Sequence, residues 1–300
     1  MKNAYNTSGK IFEQVSKLHN PGLLDQIRDS NPRDIVVVKG TYDHVEKLLD
    51  TIKVPYTLID SSQIASYNGG RVMLVNCKSY GGIGANFDDD NKDFSKQLKE
   101  GVKGFVTEGG RLVTTDWALS LVQKTFPGKV SYKSSTGDEV VEVQAHTDTA
   151  RRFLGLNYAQ CHPKWWLEGS SYLFDIGPGV VPIITSQEMM DKHGLPYVAV
   201  GFTEGKGEVF HFISHMELQR TKMSTKEDKG SLDDFLKKMK VSKTADMEDA
   251  KVAELEAAYS SLNTLAHLCS RTPILSSSMK SIYVGSSKGA TGAAKSKGLI

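Results

Sequence analysis

Unbroken apolar runs bounded by turn residues alternate with helical periodicities through the first half of the chain. Ile11, Phe12, Val15 and Leu18 fall on one face of a helix within 11–29, broken at Asn20-Pro21-Gly22. Asp34 to Val38 is then continuously apolar after its first residue and lies between Pro32 and Gly40, the pattern of a parallel strand covered on both faces. Val45, Leu48, Leu49 and Ile52 line one side of a helix over 41–52, with Thr41 placed to cap it. Pro55 to Ile59 and Arg71 to Cys77 read as the next strands. A helix over 93–106, a strand over 111–114 and a helix over 117–125 follow. This alternation predicts an α/β fold with a doubly wound, mainly parallel sheet and right-handed crossovers.

Beyond residue 130 the pattern shortens. Val130 to Tyr132, Glu139 to Ala145, Tyr172 to Ile176 and Val180 to Thr185 are strand candidates between polar loops, with Trp165-Trp166-Leu167-Glu168 among them. Residues 196–202 and 208–213 form a hairpin across a five-residue loop, Thr203 to Gly207. This more antiparallel section is expected to extend the sheet. A short helix is expected over 231–240 and a longer one over 245–269. Val252, Leu255, Tyr259, Leu262, Ala266 and Cys269 make a stripe on the longer helix, which reads as docking on its own domain or as pairing with another helix. The resulting division is an N-terminal helical segment 1–30, an α/β domain 31–221, a charged linker and C-terminal helix 222–275, and a tail 276–300. That tail, with Ser, Gly, Ala, four lysines and no acid, is expected to be flexible.

Composition narrows the function classes. A formal charge of +2, with 39% hydrophobic and 24% charged residues, gives no electrostatic footprint for nucleic acid. Neither an apolar signal core at Met1–Asn6 nor a run of membrane-spanning length is seen, so no membrane partner is expected. Cys77, Cys161 and Cys269 are few and far apart. They suit a reduced, cytoplasmic compartment and predict neither a disulfide framework nor a thiolate zinc site.

The stretch Glu108 to Leu119 carries a strand into a helix, and in doubly wound sheets such a corner holds a ligand or a nucleophile. Here it presents Thr115, Asp116 and Trp117, with neither Cys nor Gly-x-Ser-x-Gly. The third strand ends at Asn76-Cys77 and leads to Gly81-Gly82. Late in the chain Gly205-Lys206-Gly207, a strand, and His215-Met216-Glu217 follow in order. In this order of parts, over roughly residues 34–220, the chain resembles the class I glutamine amidotransferase-like superfamily, particularly its ThuA-like relatives. The resemblance implies a flavodoxin-like sheet with a C-terminal helical extension. It places an oxyanion loop at Gly81-Gly82, with Cys77 beside it, and a nucleophile position within Thr115-Asp116-Trp117. It also implies a His-x-Glu pair at His215 and Glu217. Glutaminase chemistry passes through a thioester and needs a thiolate at the elbow, which Asp116 cannot supply.

Asp116, His215 and Glu217 are therefore the candidate catalytic residues. Asn76, Cys77, Gly81, Gly82, Thr115 and Trp117 are the candidate ligand contacts. A His-His-Asp metal set of His211, His215 and Asp116 is conceivable from strand spacing, but no spacing is diagnostic and neither metal nor cofactor is called for. Asp88-Asp89-Asp90 lacks the spaced ligands of a calcium loop and reads as a solvated loop. Three functions remain open. The first is a catalytically degenerate amidotransferase-like module binding a small ligand at the cleft or a protein through the C-terminal helix. The second is a ThuA-like enzyme acting on a carbohydrate or related polar metabolite. The third is a structural subunit, self-associating or not, of an assembly.

Overall fold

The computed structural model describes residues 1–67, 69–80, 96–145, 147–156 and 161–275 of the chain. Helices α1 (Lys2–His19) and α2 (Leu23–Arg28) flank the Asn20-Pro21-Gly22 break. There follow β1 (Ile35–Val38), α3 (Val45–Thr51), β2 (Thr57–Ile59), β3 (Val72–Val75), α4 (Lys96–Thr107), β4 (Arg111–Thr115) and α5 (Leu119–Thr125). The irregular middle contains β5 (Val130–Ser135), β6 (Glu139–Glu142), α6 (Asp148–Leu154), β7 (Lys164–Leu167), β8 (Tyr172–Ile176), β9 (Val181–Thr185) and α7 (Gln187–His193). The chain closes with β10 (Tyr197–Glu204), β11 (Gly207–Phe212), α8 (Leu232–Met239) and α9 (Val252–Cys269).

The central sheet has the order β2-β1-β3-β4-β11-β10-β9. Its first five strands are mutually parallel, and β10 and β9 add on antiparallel. With β11 as fifth strand this is the flavodoxin-like 2-1-3-4-5 order, and the α/β expectation holds. Every residue of β1, β3, β4 and β11 is buried, as two-sided helical cover requires. The crossover β1–α3–β2 runs one way along the sheet and β3–α4–β4 the other. Right-handed crossovers therefore put α3 and α4 on opposite faces. Helices α4 and α5 pack together, whereas α1, α3 and α6 gather around α9. Strands β5–β8 and β6–β7 form two small separate sheets. No described helix is long and apolar enough to cross a membrane.

Four local expectations are corrected. Helix α3 starts at Val45 with His44 as its cap, because the Thr41 amide is committed to the Cys77 carbonyl at 2.8 Å and residues 41–44 cross the strand ends. The hairpin turn is tighter than five residues. Glu204 pairs with Gly207, and Gly205, at φ +58°, makes the reversal. Trp165 and Trp166 lie in a strand, β7, that apolar alternation did not disclose, and α6 and α7 were likewise unseen. Helix α9 begins at Val252 and not at 245, while its expected docking on its own domain holds, with 16 of its 18 residues buried. Its small polar residues make this tolerable by bonding to neighbours. Ser260 Oγ accepts from Trp165 Nε1 at 2.9 Å, and Asn263 Nδ2 donates to the carbonyls of Arg152 and Phe153 at 2.6 Å.

Candidate functional site

Parallel strands β1, β3, β4 and β11 end level with one another. Val38 pairs with Val75, Val75 with Thr114, and Thr115 with Phe212. The reversal of winding between β1 and β3 falls at these carboxyl ends, the topological switch point of the sheet. The backbones close tightly beneath it. A Cβ on Gly40 would fall 2.5 Å from Asn76 Cβ and 2.8 Å from the Cys77 carbonyl oxygen, so only glycine lets the two strand ends approach this closely.

Asp116 follows β4 with φ +43°, a left-handed backbone that costs a non-glycine residue strain. This turn aims its buried carboxylate back over the strand ends. The Tyr172 amide donates to Oδ1 at 3.1 Å. Oδ2 accepts from the Cys77 thiol at 3.6 Å and lies 3.3 Å from His215 Nε2. His215, just beyond β11, has Glu168 Oε2 at 3.3 Å from its Nδ1 and the edge of Trp166 against its ring, centroids 5.9 Å apart. Neither ring nitrogen meets the alignment of a hydrogen bond. Asp43, fully buried, holds this segment by accepting from the Met216 and Glu217 amides at 3.2 and 3.3 Å.

The electrostatics are set by burial among acids. Burial pulls the His215 imidazole down, but the charges of Asp43, Asp116 and Glu168 outweigh it and raise the group above its ordinary value. Burial, and then the Asp116 carboxylate, pushes the Cys77 thiol far up, so it stays protonated. His211 is different. It bonds Thr114 Oγ1 through Nδ1 at 2.9 Å, and burial alone lowers it to about 3.

Asp116, His215 and Cys77 thus converge, whereas other nominated residues do not. Glu217 points away, onto Lys47 Nζ at 2.9 Å, and Glu168 from the end of β7 stands beside the histidine in its place. Nothing in the sequence around Glu168 marked that role. Asn76 is spent on α3: its Oδ1 accepts from the Val45 amide at 3.0 Å and its Nδ2 donates to Glu46 at 2.9 Å. Trp117 stacks on Tyr172 at 5.9 Å, meets Tyr42 edge-on and donates to the Ser170 carbonyl at 2.8 Å. The resulting aromatic cluster flanks the elbow, with Tyr42 exposed. The buried hydroxyls of Thr115, Ser171 and Ser214, each one residue before Asp116, Tyr172 and His215, have no hydrogen-bond partner among the described residues. His211 does not join Asp116 and His215, so the His-His-Asp set does not form; the mixed trio Cys77, Asp116 and His215 does. Gly81, Gly82 and the Asp88-Asp89-Asp90 run lie outside the described residues.

Chemically, a thiol held protonated against a carboxylate is no thioester-forming nucleophile. The Asp116–His215 pair has the residue types and proximity for proton transfer or for holding an ion.

No protein-family model matches the chain, and no curated protein matches it. Among solved structures it is similar to a glutamine amidotransferase from Methylobacillus flagellatus, at 13% identity and TM-score 0.46, over 80% of this chain and 93% of that one. It is similar to a glutamine amidotransferase from Thermotoga maritima at 11% identity and TM-score 0.43, over 63% of this chain and 78% of that one. A cold-adapted β-galactosidase from Rahnella sp. R3 aligns at 14% identity and TM-score 0.41, over 61% of this chain. The match spans 28% of that enzyme's length. Likenesses of this strength carry no argument about activity, which rests on the site itself.

Proposed function

We propose that the chain is an amidotransferase-like α/β domain that binds a small polar ligand at the carboxyl ends of its parallel strands and does not hydrolyse glutamine. One observation carries this reading: the strained elbow presents Asp116, and the nearby thiol, Cys77, is held protonated against that carboxylate. The unpartnered buried hydroxyls around the elbow support a polar occupant. The burial of α9 on its own chain favours a cleft ligand over a protein held through that helix.

The test is thermal denaturation of the full chain against sugars, amino acids and nucleotides, with Asp116→Asn and His215→Gln in parallel. Saturation at a hundred times Kd stabilises by about 2.7 kcal/mol. A shift is expected with at least one class and is expected to vanish in both variants. Glutamine hydrolysis abolished by Cys77→Ala would overturn the reading.

A second reading, an enzyme of ThuA-like type acting on a carbohydrate or related polar metabolite, is favoured by the 3.3 Å approach of His215 Nε2 to Asp116. Asp116 and His215 would then exchange the proton, with Glu168 rather than Glu217 orienting the ring. Turnover of a ligand found in the screen, lost in either variant, separates catalysis from binding.

A further inference from the structure

Cys77, Asp116 and His215 lie at three separate strand ends, and each offers one donor atom to a common point. Sγ, one carboxylate oxygen and one ring nitrogen all lie within 4.8 Å of one another. Two separations are informative: 3.6 Å from Sγ to Oδ2, and 3.3 Å from Oδ2 to Nε2. A tetrahedral zinc ion has bonds of about 2.3 Å to sulfur and about 2.0 Å to nitrogen and oxygen. Tetrahedral angles then set neighbouring sulfur and oxygen about 3.5 Å apart, and nitrogen and oxygen about 3.3 Å apart. The two observed separations match these values, and the sulfur and the ring nitrogen lie within 4.8 Å of one another.

The geometry points to a zinc-class divalent transition-metal site formed by Cys77 Sγ, Asp116 Oδ2 and His215 Nε2. Thiolate with imidazole selects a borderline-soft ion over magnesium or calcium. All three side chains are nearly fully buried, and the ring nitrogens of His215 have no aligned hydrogen-bond partner, although a carboxylate oxygen stands 3.3 Å from each. An ion bound at Nε2 would give that buried nitrogen the partner it lacks. Outer contacts have the form such sites need. Tyr172 N engages Asp116 Oδ1 and leaves Oδ2 to the ion, and the Glu168 carboxylate lies 3.3 Å from Nδ1, close enough to become its acceptor on a small turn of the ring. On binding, the Cys77 S–H bond breaks, its proton leaves to solvent and the sulfur lone pair forms the bond to the metal. Three protein ligands leave a fourth position open, as in catalytic zinc sites. The inference deepens the ligand-binding reading above and rests on it in this respect: the open position is where the small ligand would meet the protein.

The experiment uses the full chain, stripped by chelator dialysis and titrated with cobalt(II) as the probe. Bound zinc is measured separately by elemental analysis. One equivalent of cobalt is expected, with the intense visible bands of a tetrahedral site and a thiolate-to-cobalt charge-transfer band. Zinc is expected to displace it. Cys77→Ser should abolish the charge-transfer band, whereas the double variant Cys161→Ser/Cys269→Ser should retain it. Asp116→Asn and His215→Gln should weaken binding at least tenfold. Circular dichroism reports whether each variant is folded. A folded wild-type chain binding less than a tenth of an equivalent of either metal, or a charge-transfer band unchanged by Cys77→Ser, overturns the proposal. Ligand-induced stabilisation of the metal-free chain, combined with no metal uptake, sinks the metal site and leaves the ligand reading standing. Metal bound at one equivalent with no response to any ligand class does the reverse.

Discussion

Removing the guanidinium of Arg111 tests the packing of α9 without touching the strand-end site. Arg111 and Glu208 are register partners at the opposite, amino-terminal ends of β4 and β11. Their side chains are only 8% and 9% exposed. Arg111 donates from Nε and Nη2 to Glu208 Oε2 at 2.9 and 2.7 Å, and to the carbonyls of Leu268, Ser270 and Thr272 at 2.6 to 2.8 Å. Glu208 Oε1 accepts from the Ile274 and Leu275 amides. The pair thus ties the end of α9 and the segment after it to the central sheet. Arg111→Met strands a buried carboxylate and three carbonyls, a loss of about 3–5 kcal/mol. For a chain of this size that corresponds to a fall in Tm of about 5–8 °C. Urea unfolding followed by circular dichroism and tryptophan fluorescence gives the value. The double variant Arg111→Met/Glu208→Leu should lose less than the sum of the single changes, because it removes the uncompensated charge. A loss below about 1 kcal/mol, or strict additivity of the two changes, would refute the reasoning.

Two further outcomes follow from the buried geometry. His211 is lowered to about 3 from an ordinary value of 6.5 by burial, so the unfolded chain takes up the proton first. The stability it contributes is present above about pH 6.5 and is lost as pH falls toward 3, about 2 kcal/mol of it between pH 7 and 5. His211→Asn, which keeps a partner for Thr114, should flatten that part of the stability–pH curve; parallel curves for variant and wild type would count against it. At the β10–β11 turn, a Cβ on Gly207 would sit 2.1 Å from the Val106 carbonyl oxygen and 2.3 Å from that of Gly110. Gly207→Ala should therefore cost on the order of 3 kcal/mol by forcing two backbones apart, and an unchanged unfolding midpoint would show that the turn adapts.

The parallel half of the fold was legible because its strands are buried on both faces and so read as continuous apolar runs, as in Ile35 to Val38. Strand β7 was not, because it opens with Lys164. That lysine is buried only by virtue of its ion pair with Asp228, a partner far along the chain that no local window sees. The same limit divides the site. Asp116 and His215 follow from the order of strand and turn, and they meet. Glu217 was nominated by its spacing from His215, but Asp43 takes the Met216 and Glu217 amides and turns the carboxylate out to Lys47. Its place beside the histidine goes to Glu168, which is delivered by the unread strand. Cys77 was expected beside an oxyanion loop that lies outside the described residues; its thiol faces the elbow carboxylate, a relation set by sheet order and not by spacing.

The backbone of Asp116 bears on what the elbow is for. A left-handed conformation at a non-glycine residue costs on the order of 1–3 kcal/mol, and aspartate lies at the lower end because its short polar side chain tolerates the region. Glycine would make the same turn without strain. What the strained turn secures is therefore the side chain: a carboxylate with one oxygen fixed by the Tyr172 amide and the other aimed between Cys77 and His215. Burying that carboxylate is costly unless positive charge answers it. A raised His215 imidazole supplies such a charge in the metal-free chain, and a divalent ion among the three donors would supply it instead, because a ligating Nε2 carries no proton. Either answer centres on the Asp116 carboxylate at the elbow.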